Sequence, residues 1–306
     1  MRVVGLIGVP TSAGAFAPGQ DQAPRALRNG GLVRSLRERG LEVSDHGDRQ
    51  TWRWRPDRAN PRAQNLDAVA EIVRDTARRV AEAAGAGETT LVLGGDCTVG
   101  MGTVAGHLQT GDRIGLIYLD AHADLNVPES VREGALDWMG LAHMLGVDGA
   151  APELVGLGPR TPMLHSEQVV LFAWDGEQAT SFERTAIERG DLAVVPVDEV
   201  AAGPEAAARR ARAMIENRCD RLLVHFDVDA IDFTDFPLSE HCGRNEGLAY
   251  DQVLRALHVL LQSPRLAGLT ITELNPDHAE HGGSDIERFA ADIGSGLAGA
   301  PLGSLA

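Results

Sequence analysis

Asp120, His122 and Asp124 stand at every second position of one segment, and Asp227 and Asp229 repeat that spacing further on. On an extended chain alternate side chains point the same way, so each set turns its carboxylates and imidazole toward one cavity. Together they offer more ligands than one divalent ion needs. Two ions that share bridging carboxylates use them all, and such a pair activates water for hydrolysis. An isolated Asp-x-Asp is more often a turn or a helix cap, and a lone His is more often a core or surface group. Gathered at the ends of two apolar runs, this set would instead bury several carboxylates whose charge calls for a cation.

The apolar runs lie at 3–9, 90–93, 113–119, 169–173, 193–197, 222–226 and 266–272. Several are nearly continuous in Val, Leu and Ile, as strands buried on both faces should be. Helical patterns fill the intervals at 23–39, 66–84, 137–145, 204–217, 250–262 and 284–297. Strands alternating with helices predict an α/β fold with a parallel sheet between helical layers. Long Gly/Ser-rich or Pro-rich linkers are absent, which favours one domain over 1–306. In such sheets ligands gather beyond the carboxyl ends of the strands. The polar clusters fall there: Gly94-Gly95-Asp96-Cys97, Asp120 to Asp124, Asp227-Val228-Asp229 and Glu273-Leu274-Asn275-Pro276. Residues 50–64, with Trp52, Trp54 and four Arg, read as a surface loop.

The formal net charge of -16 argues against nucleic acid as a partner, because that binding runs on a positive surface. It is compatible with a cationic substrate, though bulk charge mostly serves solubility. Cys97, Cys219 and Cys242 form an odd, widely spaced set that does not make a secreted disulfide framework. The N-terminal apolar run is too short for a signal peptide, and no stretch approaches a membrane span. These features predict a cytoplasmic protein with no membrane partner.

The motifs Asp120-Ala121-His122-Ala123-Asp124, His225-Phe226-Asp227-Val228-Asp229-Ala230-Ile231-Asp232 and Glu273-Leu274-Asn275-Pro276 resemble the signatures of the ureohydrolase superfamily, which holds arginase, agmatinase and their relatives. Gly94-Gly95-Asp96-Cys97 is similar to the family's first metal motif with one change. The resemblance runs in order from Val3 to Leu297. It implies a three-layer αβα sandwich around a mainly parallel eight-stranded sheet. It also implies two Mn²⁺ ions and hydrolysis of a guanidino group to urea plus an amine. Carried over by position, one ion would be held by Cys97, Asp120, Asp124 and Asp227, and the other by Asp120, His122, Asp227 and Asp229. Asp124 would also orient the attacking hydroxide. Glu273 would pair with the guanidinium, where a planar bidentate contact fits. Asp232 resembles a position just behind the ligands, and equally reads as a plain turn residue.

This chain departs from the family in three places. Cys97 stands where the family usually has His. A thiolate is a poorer match for Mn²⁺, so Fe²⁺ or Zn²⁺ also fits that site. Relatives with Cys there include enzymes that hydrolyse N-hydroxyarginine to hydroxyurea and ornithine. Beyond Asn126, the stretch from Glu133 to Trp138 replaces one that in arginases binds the amino-acid end of the substrate and carries a proton-shuttle His. Ala135 and Asp137 stand where Asn and His would be. Asp137 could shuttle a proton if burial raised its pKa, but capping the 137–145 helix is its simpler role. His143 then packs on that helix. Third, His241 stands near the place of a small hydroxyl residue and could supply acid–base function, with Arg244 and Asn245 nearby. His278 and His281 read as solvated loop residues.

The leading expectation is a binuclear metal-dependent amidinohydrolase acting on a small guanidino compound, an arginine derivative such as N-hydroxyarginine or another guanidino acid. A formimino-type or deacetylase-like C–N hydrolase on the same fold is the alternative, as is a non-catalytic metal-binding relative. The resemblance also implies a homo-oligomer, a trimer or hexamer.

Overall fold

The computed structural model describes residues 3–281 and 283–299. Its strands are β1 (Val3–Gly8), β2 (Glu42–Asp48), β3 (Thr89–Leu93), β4 (Ile114–Leu119), β5 (Val169–Trp174), β6 (Ala193–Pro196), β7 (Arg221–Asp227) and β8 (Leu266–Thr272). They form one parallel sheet in the order β2-β1-β3-β8-β7-β4-β5-β6. The helices are α1 (Ala23–Asn29), α2 (Leu32–Glu38), α3 (Leu66–Gly85), α4 (Val99–Leu108), α5 (Gly140–Leu145) and α6 (Pro152–Val155). They continue with α7 (Ser181–Gly190), α8 (Val197–Ala202), α9 (Pro204–Ile215), α10 (Tyr250–Leu261) and α11 (Ser284–Ala298).

Each sheet face has its own apolar core. Leu6, Leu91, Ile117, Val224 and Ile271 pack under α1, α2 and α8 to α11. Ile7, Val92, Leu116, Leu171 and Leu223 pack under α3 to α7. Adjacent residues of one strand therefore serve opposite cores, as the two-residue period of a strand requires. The central strands are buried along their whole length, which is why they read as continuous apolar runs.

Several elements differ from the expectation, which also placed no helix at α6, α7 or α8. β2 is polar and mostly exposed because it pairs on one side only, with β1, at the sheet's edge. No apolar pattern marks such an edge strand. The helix expected over 23–39 breaks into α1 and α2 at Gly30-Gly31, where Gly31 takes φ 88°. α4 shows no polar face because all of it is buried between α3 and the sheet, so its sequence carries no helical period. The 50–64 loop is irregular, as expected, but Trp52 forms a bridge with Thr11 that ties it to the end of β1.

Candidate metal centre

The four strands β3, β8, β7 and β4 are neighbours in the sheet, and all are parallel. Their carboxyl ends therefore converge on one edge, and each ends in one of the four polar clusters. Gly95 makes the approach possible: a Cβ there would lie 1.6 Å from the Thr11 carbonyl oxygen, so any side chain would push the β3 loop out of place. Asp229 is carried on the single 3-10 turn that follows β7, 228–230, and its backbone N–H donates to Asp227 Oδ1 at 2.8 Å.

Two groups of ligand atoms result. Cys97, Asp120, His225 and Asp227 each offer one atom, all within 4.8 Å of one another, and so do Asp120, His122 and Asp229. Asp120 belongs to both groups. His122 Nδ1 lies 3.0 Å from Asp229 Oδ2 and 3.5 Å from Asp120 Oδ1. Cys97 Sγ lies 2.8 Å from Asp227 Oδ2. Asp124 lines the same cavity but joins neither group, and its Oδ2 accepts the Tyr118 hydroxyl instead.

The electrostatics favour a cation. Burial, and then the charge of Asp229, raises Asp120 to about 7. Burial first, and then neighbouring carboxylates, push Asp124, Asp227 and Glu273 well above the usual range. Asp229 runs the other way: burial works to raise it, but the charge and hydrogen bond of His122 outweigh this and hold it low. His122 is correspondingly raised, its neighbouring carboxylates overcoming burial. Asp120 Oδ2 and Asp229 Oδ1 are buried and have no partner among the described residues. Buried acceptors without donors are costly, and divalent cations satisfy them. The donor set of carboxylates, imidazole and thiol fits such ions.

Glu273 stands beside this set with φ 60°, its Oε1 accepting the Cys97 N–H at 2.8 Å and its Oε2 accepting Gln20 Nε2 at 2.9 Å. The cavity above is lined by Asn126, Asp137, Glu183, Glu240 and His241 in addition. Phe16, Val131 and Trp138 also line it, with Phe16 exposed at the rim. Asn126 Oδ1 accepts the hydroxyls of Thr180 and Ser130. His241 is half exposed, edge-on to His122 with ring centroids 5.5 Å apart.

Several expectations change. Asp137 is not a helix cap: its Oδ1 accepts the N–H of the adjacent Trp138, and Leu136 holds the cap position without a side-chain bond. Burial, with the charges of Asp96 and Asp124, raises Asp137 well above its usual range, the condition set for proton transfer. His278 is half-buried rather than freely solvated, its Nδ1 lying 2.8 Å from the Ser239 carbonyl oxygen. His281 is exposed as expected, and His143 is packed on its helix with Nδ1 2.6 Å from the Met139 carbonyl. Asp232 ties the 234 and 245 backbones and so acts as a turn residue. Arg244 stacks on Phe233 rather than lining the cavity.

Sequence reading missed His225, Gln20, Tyr118 and the Thr180–Glu183 capping pair. His225 was within reach of a parity argument, because it stands two residues before Asp227 on the same strand. The Thr180-x-x-Glu183 spacing is that of a capping box, which announces α7.

The arginase family model matches residues 2–297 of the chain. The arginase of Bacillus caldovelox is 29% identical over 279 residues, covering 90% of this chain and 92% of that protein. Human arginase-1 is 27% identical over 279 residues, covering 90% of this chain and 85% of its own length. The solved structure of the B. caldovelox arginase superposes with a TM-score of 0.87 at 28% identity, over 99% of this chain and all of that one. A formimidoylglutamase structure from Bacillus subtilis shares the fold with a TM-score of 0.77 at 17% identity, over 98% of this chain and 88% of its own. By this match, the three-layer fold and the ligand motifs at its strand ends, the chain belongs to the arginase family.

Proposed function

We propose that the protein hydrolyses the C–N bond of a guanidino compound, giving urea or hydroxyurea and an amine, with two divalent metal ions in the paired ligand groups. Its family consists of hydrolases that act on such amidine bonds. The observation that carries the reading is the pair of ligand groups sharing Asp120, with the Glu273 carboxylate held beside them. The ions supply water of lowered pKa and a Lewis acid.

The chain's own residues do the rest. Glu273, anchored by the Cys97 N–H and by Gln20, receives the guanidinium and orients its plane. Asp124 Oδ1, the oxygen free of the Tyr118 bond, takes the proton of the attacking water. As oxygen bonds to the guanidino carbon and the C–N bond breaks, a proton passes to the leaving amine from His241 or Asp137, which face the same cavity. Asn126 positions the substrate's far end.

The cavity narrows the choice of that far end. No Lys or Arg is among the described residues that line it, so a substrate carboxylate meets no cation. Ala135 is fully buried and offers no contact in the place of a hydrogen-bonding side chain. Phe16, the exposed large hydrophobic among the described residues, sits instead at the rim, 6.1 Å from the Trp138 ring. This favours a guanidino compound with an uncharged, partly apolar tail over the guanidino acids expected from sequence. The family likeness also supports a homo-oligomer, and three free cysteines suit the cytoplasm.

The test is to load the purified protein with Mn²⁺, Fe²⁺ or Zn²⁺ and offer agmatine, apolar alkyl- and arylguanidines, arginine, N-hydroxyarginine and guanidino acids. Urea or hydroxyurea release is expected. Two bound metals without turnover of any guanidino compound would overturn the proposal.

A further inference from the structure

We propose that His225, through Nε2, is a protein ligand of the metal ion at the Cys97 end of the site, in the place that the family pattern assigns to Asp124. This rests on the reading that the site binds metal, and adds which residues hold one ion and what kind of ion it is.

The backbone directs the imidazole there. His225 and Asp227 are two apart on β7 and so point to the same face. Tyr118 pairs in register with His225 on one side, and Thr270 pairs with it on the other. The His225 ring stacks on Tyr118, with centroids 4.2 Å apart and planes within 1°. A Cβ at Gly100 would lie 2.7 Å from His225 Nδ1, so the glycine keeps open the slot in which the ring lies. With the ring fixed in this way, Nε2 faces Cys97 Sγ at 3.3 Å and Thr272 Oγ1 at 3.2 Å. A ring nitrogen of His225 also stands within 4.8 Å of a ligand oxygen of Asp120 and of Asp227.

These separations suit one ion. Ligand atoms bound at roughly 2.0–2.3 Å from a common metal are about 3–4 Å apart. Asp124 is the member that does not gather. Its backbone takes φ 49°, and its Oδ2 is committed to the Tyr118 hydroxyl. Cysteine is shorter than histidine, so Cys97 brings the donor atom back toward the β3 loop. The imidazole it lacks is returned from β7.

The resulting donors are one thiolate, one imidazole and two carboxylates. That set is softer than the carboxylate-rich one, and it favours Zn²⁺ or Fe²⁺ over Mn²⁺. The neighbouring group of Asp120, His122 and Asp229 keeps harder donors and suits Mn²⁺. The site is thus a mixed pair.

The direct test is a crystal structure of the unmutated protein loaded with Zn²⁺. The expected result is a zinc ion within about 2.0–2.1 Å of His225 Nε2 and about 2.3 Å of Cys97 Sγ. Zinc bound by Cys97 and Asp124 with Nε2 beyond bonding distance would overturn the assignment while leaving the metal reading intact. No zinc on any of these residues would overturn both. In solution, Zn²⁺ should displace one of two bound Mn²⁺ ions per chain. In His225→Gln that preference should fall roughly tenfold or more, with the second ion retained. Unchanged competition in a folded His225→Gln protein would overturn the assignment.

Discussion

Tyr118 donates its hydroxyl to Asp124 Oδ2 at 2.5 Å, from a ring buried in the sheet. Asp124 is raised by burial and by the charge of Asp120, and this bond, together with the charge of His122, opposes that rise. Removing the bond in Tyr118→Phe leaves the carboxylate harder to ionise. A base whose pKa rises is protonated, and idle, up to a higher pH. The acid limb of the kcat/KM profile should therefore move to higher pH, by about one unit, given the strength of hydrogen bonds to charged groups. The plateau at high pH should stay near the wild-type value. An equal loss at every pH would mean that Tyr118 only supports the fold.

Asp229→Ala removes an oxygen 3.0 Å from His122 and a second, buried oxygen without a partner among the described residues. Metal content should fall from two ions per chain to one. The rate should drop roughly a hundredfold to a thousandfold, the scale on which loss of a preorganised charge acts. Metal analysis and guanidino turnover on the same preparation check both.

Stripping the metal should destabilise the protein more at high pH than at low. In the folded state Asp120 titrates at about 7, and Asp124, Asp227 and Glu273 are also raised. Between the ordinary carboxylate range and these raised values, the folded state binds more protons than the unfolded one. Stability is then lost as pH rises through that window. Bound cations take the protons' place and remove the loss. Chelator-treated protein should show a Tm falling by several degrees from about pH 4.5 to about 7, and metal-loaded protein should not. Parallel Tm curves for the two forms would refute the account.

Trp138→Ala and Phe16→Ala should raise KM about tenfold for guanidino substrates with apolar tails, with little change in kcat. Aromatic contacts of this kind are worth about 1–1.5 kcal/mol, and binding shared by ground and transition state appears in KM. Short, polar guanidines should be affected much less.

The strand-end clusters could be read directly because parallel α/β sheets bury their strands on both faces and deliver polar residues at one edge. β4, β7 and β8 are such strands: Asp120 and Glu273 follow β4 and β8 at once, and Asp227 ends β7. β2 and α4 could not, one because a polar edge strand lacks an apolar period and the other because a fully buried helix lacks a polar one. Residue type and spacing by themselves determined the fold class and most members of the candidate metal-binding set. The tertiary structure decided the rest. The sequence offers Asp124 as a ligand and gives His225 no role, but strand register sets Tyr118 beside His225, and the Tyr118 hydroxyl bonds Asp124. Likewise Asp137 leaves the cap for the cavity, where burial raises its pKa. Spacing along one strand fixes which way a side chain points, but which partners meet it depends on neighbouring strands brought close only by folding.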